Sequence, residues 1–341
     1  MSELVLRPRE DFNIWQVAGG DEHRTYADEL VRHNVALIGP GGPGPWSHKR
    51  RHATYEGRYV ERFAREGADD LRRGDVVVLR TGRSTMRAVG IVQSPYQFYE
   101  AFDDLNGWDV QHGRRVLWWR LPTPVRFDSL VFPMVRFSGV NKTVVRKAAM
   151  ASLERRARFP TTLAPIPPPE KQLDERELSP QLRACLETLR SWSRFYQNPA
   201  RSGEDWPTEH ETVANCVMPF FRALGWRKEE IAVEWKRYDV ALVSPSARAR
   251  ENVHIIVEAK RIEDGIEGAR LQVEERGYLH QFEKPPIVVV TDGFRYKAYA
   301  PTSGRCLAYA NANKPRVSAQ ALFQLLSRVE TLRRNHNGPM V

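Results

Sequence analysis

Residues 251–260 read ENVHIIVEAK, from Glu251 to Lys260. The run Ile255, Ile256, Val257 is short and β-branched, follows Ser, Pro and Arg residues and precedes charges, so it predicts a buried strand. Side chains on a strand alternate between faces, which sets Glu258 and Lys260 on one face with the small Ala259 between them. An unpaired buried charge is expensive, so a strand ending this way needs a partner for the pair. The candidates are a metal, a phosphate or each other.

The flanking pattern alternates helix and strand. Thr208 with Glu211 three residues later is a capping box. Val213, Val217, Phe220, Phe221 and Leu224 give the following helix an apolar stripe, Gly225 ends it, and Pro219 predicts a kink. Residues 231–235 and 238–243 predict a hairpin, with Asp239 starting its second strand. Beyond Lys260, residues 263–281 predict a helix and 287–291 a fully apolar strand. Asp292-Gly293 then turns the chain into 294–300, and Ser318 caps a closing helix that runs to about Arg334.

A chain of 341 residues favours two domains. The stretch 160–169, PTTLAPIPPP, marks the boundary, because three consecutive prolines continue neither a helix nor a central strand. This divides the chain into a domain at 1–159, an extended linker at 160–172 and a domain at 173–341. With 41% hydrophobic and 28% charged residues the composition is that of a globular protein, and no apolar run is long enough to span a bilayer. The start, MSELVLRPRED, has no apolar signal core, and Cys185, Cys216 and Cys306 match no zinc spacing. Both features predict a cytoplasmic protein. The net charge of +10 favours a polyanionic partner.

The first domain reads as short strands broken by Gly and Pro, which predicts a small barrel. Strands are expected at 13–18, 35–39, 71–79, 86–92, 115–119 and 134–139, with helices at 56–66 and 144–158. The loop GPGGPGPW at 39–46 lacks the Gly-Lys-Ser/Thr of a phosphate cradle and reads as a rim or hinge. A basic stretch, His48 to His52, follows it.

Two resemblances add to this. In the first domain, Trp15, ALIGP at 36–40, RRGDVVVLR at 72–80, AVGIVQSPYQF at 88–98 and WDVQHGRRVLWW at 108–119 occur in the order found in EVE and wider PUA-like domains. That resemblance implies a pocket for a modified or flipped base, with Trp46, Tyr96, Trp108 and His112 as its walls and Trp15 on its floor. An extruded base does need flat surfaces to stack on and polar groups for its edge. In the second domain, TEHETVANCVMPFFRALGW at 208–226, YDVALV at 238–243, IIVEAKR at 255–261 and IVVVTDGFRYKAY at 287–299 resemble the N-terminal nuclease region of type I restriction enzyme R subunits. The element order αβββαβ matches the PD-(D/E)XK core. The expected fold class is therefore α+β in two domains, an EVE/PUA-like barrel followed by a PD-(D/E)XK, restriction-endonuclease-like domain.

The nuclease resemblance implies Asp239 and Glu258 as ligands of Mg²⁺ (or Mn²⁺), the Ala259 carbonyl as a further ligand, and Lys260 as the group that orients or deprotonates water. Glu209 matches the family's upstream acid, with Glu211 as competitor for that role. Gln272 matches a conserved helix position of related nucleases, although Arg276 stands where they carry Tyr. Lys49, Arg50, Arg51 and Arg261 are candidates for gripping the DNA backbone. The implied activity is cleavage of modified double-stranded DNA in bacterial defence, and cutting both strands with one site per chain implies a homodimer. Two alternatives stay open: a catalytically silent module that recruits a partner to marked nucleic acid, and an RNA reader in the first domain. Taken alone, Glu258 and Lys260 read more readily as a strand-end salt bridge than as a catalytic pair, and each aromatic alone reads more readily as a core residue.

Overall fold

The computed structural model describes residues 3–20, 25–41, 44–47, 55–103, 105, 108–155, 162–196, 207–245, 247–261, 266 and 279–336. The chain divides into two compact units, Met1–Pro169 and Glu170–Val341. Both are mixed α+β, each built on one sheet.

The first sheet comprises β1 (Ile14–Ala18), β2 (Val35–Ile38), β3 (Val76–Thr81), β4 (Thr85–Val92), β5 (Gln97–Phe98), β6 (His112–Arg126) and β7 (Phe137–Gly139). Its order is β2-β6-β4-β3-β1-β7, with β5 also on β6, and it curls into a half-barrel. Among the described residues of this sheet only β1 and β3 run parallel, Ile14 opposite Val76 through Ala18 opposite Arg80. Period-2 alternation fills both faces. Trp15, Val17, Val77, Leu79, Val116, Trp118 and Phe137 line one core, and Ile14, Val76, Val78, Met86, Val89 and Leu121 line the other. Helix α1 (Ala27–Arg32) supplies Ala27 and Leu30 to the first core, and α2 (Tyr55–Ala64) supplies Val60 and Phe63. Helix α3 (Thr143–Glu154) covers the other core with Val145, Ala149 and Leu153.

Strand β6 runs far beyond the expected 115–119 because it pairs with β2, β4 and β5 in turn. The adjacent Trp118 and Trp119 take opposite faces, Trp118 buried in the inner core and Trp119 against the outer one. Arg114 is fully buried. Its guanidinium donates to the Phe63, Ala64 and Arg65 carbonyls at 2.8, 3.2 and 2.7 Å, closing the end of α2, and pairs with Glu66 at 2.8 Å.

The proline-rich stretch is anchored rather than free. Ala164 N–H donates to Asn34 Oδ1 at 2.8 Å and its carbonyl accepts from Arg115, while Leu173 N–H donates to the Pro315 carbonyl at 2.9 Å within the second unit. Extended Pro-rich backbone has free carbonyls, and here neighbouring donors use them.

The second sheet has the order β13-β12-β11-β10-β9-β8. Its strands are β8 (Ile231–Val233), β9 (Val240–Val243), β10 (Val253–Ala259), β11 (Ile287–Thr291), β12 (Arg295–Tyr299) and β13 (Cys306–Asn311). Among the described residues of this sheet only β10 and β11 are parallel, so the chain crosses over between them. The helix expected at 263–281 lies outside the described residues, apart from Ile266, which is buried, and a 3₁₀ turn at Leu279–Gln281. One face of the sheet carries Ile255, Val257, Val289 and Tyr296 beneath α4 (Pro180–Tyr196) and the helices that follow Thr208. The other carries Ile256, Val288, Val290 and Tyr299.

The capping box at Thr208 forms, Glu211 N–H to Thr208 Oγ1 at 3.2 Å and Thr208 N–H to Glu211 at 2.8 Å. Pro219 is accommodated by a π turn, Val213–Val217, between α5 (Glu209–Thr212) and α6 (Met218–Ala223). A proline cannot donate to the preceding turn, and widening that turn relieves the clash. The closing helix is two helices, Ala319–Leu326 and Arg328–His336, broken at Ser327. Tertiary bonds hold the break: Trp226 Nε1 donates to the Leu326 carbonyl at 2.8 Å, and Arg328 pairs with Glu230 at 2.7 Å. Ser318 makes no side-chain cap and donates its hydroxyl to Glu170 instead.

Candidate active site

Four charged side chains from three elements meet at one margin of the second sheet. Asp239 immediately precedes β9, and Glu258 is the penultimate residue of β10. Pairing of Val240 with Val257 brings the two acids alongside each other. Lys260 follows β10 and keeps its N–H on the Thr291 carbonyl at 2.8 Å. Glu209 stands in the first turn of α5, released from capping because Glu211 does that work.

Lys260 Nζ lies 2.8 Å from Glu258 Oε1 and 3.5 Å from Glu209 Oε1. The Glu258 side chain is 5% exposed, Lys260 12% and Glu209 39%, so the cluster grades from the protein interior outward. Asp239 Oδ2 accepts the Ala259 N–H at 2.6 Å, which holds this carboxylate against the end of β10.

Burial, then the negative charge of Glu258, push the Asp239 carboxyl up to about 6, against the Ala259 N–H and Lys260, which favour its ionised form. Burial alone would lower Lys260, but the hydrogen bond and charge of Glu258, followed by Glu209 and Asp239, outweigh it and hold the ammonium above its ordinary value. The result is a proton-competent carboxyl next to a firmly charged lysine. Among the described residues no group of three or more His, Cys, Asp and Glu side chains is placed to hold a metal ion. Arg261 follows Lys260 half-buried, and Gln272 lies outside the described residues.

In the first unit, Trp46, Tyr96 and His112 meet at the start of β6, and Trp108 precedes that strand by four residues. The Tyr96 hydroxyl receives the Trp46 N–H at 3.0 Å and bonds His112 Nδ1 at 2.8 Å, and His112 Nε2 bonds the Pro40 carbonyl at 2.8 Å. The Tyr96 and His112 rings stack at 5.8 Å. Gly39 is required here, since a Cβ would run into the Asp109 carbonyl. Trp46, Tyr96 and Trp108 are half-buried, whereas His112 is fully buried and acts through its two hydrogen bonds.

Trp15 is a correction. It is not on a pocket floor: it is buried in the core, stacked on Phe137 at 4.9 Å with Nε1 donating to Asp75 at 2.9 Å. A strand interior leaves its ring no open face. Two residues the sequence did not mark pack on Trp108, Tyr26 with its ring 5.7 Å away and Arg136 with its guanidinium 5.6 Å over the same ring. They come from other elements, and no local pattern links them to Trp108. Lys49, Arg50 and Arg51 lie outside the described residues.

A family model described as "Domain of unknown function (DUF8426)" matches residues 15–144, within the first unit. No curated protein and no solved structure matches the chain. No helix among the described residues is long and apolar enough to cross a membrane.

Proposed function

We propose that the chain is a modification-dependent DNA endonuclease of bacterial defence, in which an EVE/PUA-like first unit inspects a base and a PD-(D/E)XK second unit hydrolyses a phosphodiester bond. The observation that carries this reading is the convergence of Asp239, Glu258, Lys260 and Glu209 at the end of a parallel strand pair. Structural salt bridges do not need a second, desolvated carboxylate beside the first; a hydrolytic site does.

The donor set fits a hard divalent cation. Asp239 and Glu258 repel each other in a partly dry site, which a cation relieves, and Mg²⁺ needs only one or two protein carboxylates with water completing its shell. Asp239 and Glu258 would hold the ion, with the Ala259 carbonyl as a third donor. Bound there, Mg²⁺ (or Mn²⁺) supplies an activated water and neutralises charge on the phosphate. Lys260, fixed by Glu258 and Glu209, stands ready to orient the attacking water or to donate to the developing negative oxygen. Glu209 sets the position of the lysine from the exposed side. The half-buried Trp46, Tyr96 and Trp108 offer faces on which a base can stack. On this reading the protein is cytoplasmic and cuts duplex DNA as a homodimer.

One observation favours a binding-only reading: Lys260 is engaged by Glu258 and Glu209. Nicking of supercoiled plasmid and phage DNA bearing unmodified, 5-methyl- or 5-hydroxymethylcytosine, with and without Mg²⁺, separates the two. Lys260→Ala should abolish cutting and leave binding intact. Cleavage that survives this substitution refutes the site.

A further inference from the structure

A cavity in the first unit is lined by none of the residues discussed so far as functional. It has a volume of about 130 Å³ and sits against a break in the β4–β6 ladder. Met86 pairs with Val125 and Ala88 with Arg120, so Arg87 alone faces the four residues 121–124. The cause is in the sequence: Pro122 and Pro124 have no N–H for the ladder, and the strand bulges around them.

The bulge frames the cavity with Leu121 and Pro124, α1 adds Val31 and Asp28, and two arginines, Arg87 and Arg120, are part of the lining. Arg87 spends its Nε on Thr81 Oγ1 at 3.1 Å, which steadies the group and leaves its terminal nitrogens as donors. Arg120 pairs with Asp28 at 2.9 Å, with both side chains about 60% exposed. A pair so open to water is worth little, and an incoming anion can displace the carboxylate from Arg120.

We infer that this cavity is a phosphate site, and that it takes one backbone phosphate of a DNA strand. Size decides against a whole nucleoside: the space holds about four waters, well below the roughly 300 Å³ at which drug-sized pockets begin. Charge decides for an anion, since the lining carries two guanidinium groups and one carboxylate. Two guanidinium forks in one lining match the tetrahedral oxygens of phosphate better than a single flat carboxylate. Asp28 acts as a built-in competitor, holding Arg120 when the cavity is empty and setting the affinity below its maximum. The strand assignment rests on taking the first unit as the half that holds nucleic acid; the net charge of +10 agrees with it.

The test uses the full chain without divalent cation, so cleavage and its dependence on Lys260 play no part. Binding of a short unmodified DNA duplex is measured over a salt series, and binding of inorganic phosphate by chemical-shift titration. Arg87→Ala and Arg120→Ala should each weaken duplex binding about tenfold and lower the salt slope by about 0.9. Asp28→Asn should tighten it several-fold, an effect that a merely structural role for the pair would not produce. Unchanged affinity and slope in both Arg variants, or no tightening in Asp28→Asn, overturn the proposal. Inorganic phosphate that shifts these residues while duplex binding ignores them overturns the assignment to a strand. Thermal melts of each variant separate lost binding from lost fold.

Discussion

Asp239→Asn offers the sharpest test of the electrostatics at the sheet margin. Asn keeps an oxygen to accept the Ala259 N–H, so the 2.6 Å bond that ties β9 to β10 has a replacement acceptor. The substitution removes a charge that the fold does not favour. The Asp239 carboxyl stands at about 6 in the folded chain against an ordinary 3.8, because of burial first and Glu258 second. That difference corresponds to about 3 kcal/mol, and partial solvent contact trims it to about 2 kcal/mol. The sign follows from proton binding: between the two values the folded state holds a proton that the unfolded state has lost. The stabilisation from Asp239 is therefore complete below pH 3.8 and disappears as pH rises through about 6. At pH 8 the variant should be more stable than the parent by about 2 kcal/mol, several degrees in melting temperature. At pH 4 the gap should close. Thermal unfolding of both proteins across that range reads the difference, and cleavage by the variant should be lost. Equal stability at pH 8, or a gap that ignores pH, would show that the two carboxylates do not repel one another in a dry site.

Other substitutions probe the frame around both clusters. Tyr96→Phe removes the hydroxyl shared by Trp46 N–H and His112 Nδ1, and should cost about 1–2 kcal/mol by urea unfolding and weaken base binding. Gly293→Ala places a Cβ 2.9 Å from Cys216 Cβ and 3.0 Å from Thr212 Cγ2 at a residue with φ of +87°; a loss of about 2–3 kcal/mol is expected in the second unit's transition. Arg114→Ala strips three carbonyls at the end of α2 of their buried donor and should cost about 3–5 kcal/mol, seen as a fall in the first unit's melting temperature.

Much of the frame was legible because strand and helix patterns are local. Ile255 to Val257 read as a buried strand, Thr208 and Glu211 as a capping box, and 231–243 as a hairpin, since each signal lies within a few residues. β13 was not anticipated, because Cys306 to Asn311 has weak alternation and owes its form to pairing with β12. The closing helix was expected in one piece. Its break at Ser327 comes from Trp226 and the Glu230–Arg328 pair, partners about a hundred residues away. At the site, the same-face placement of Glu258 and Lys260 followed from strand period alone, whereas the 3.5 Å approach of Glu209 required the packing of α5 against the sheet end.

From residue order came the capping box at Thr208, the buried strand at Ile255 to Val257, and the run ending in Glu258 and Lys260 that carries charge into a buried place. Tertiary structure alone decided which aromatic rings stay accessible, sinking Trp15 beneath Phe137 while leaving Trp46, Tyr96 and Trp108 half-covered. It also decided which arginines are interior struts and which face a cavity. The physical reason is range. Periodicity and capping arise among neighbours along the chain, while burial and charge pairing are set by residues that meet only once the sheet has curled and its helices have docked.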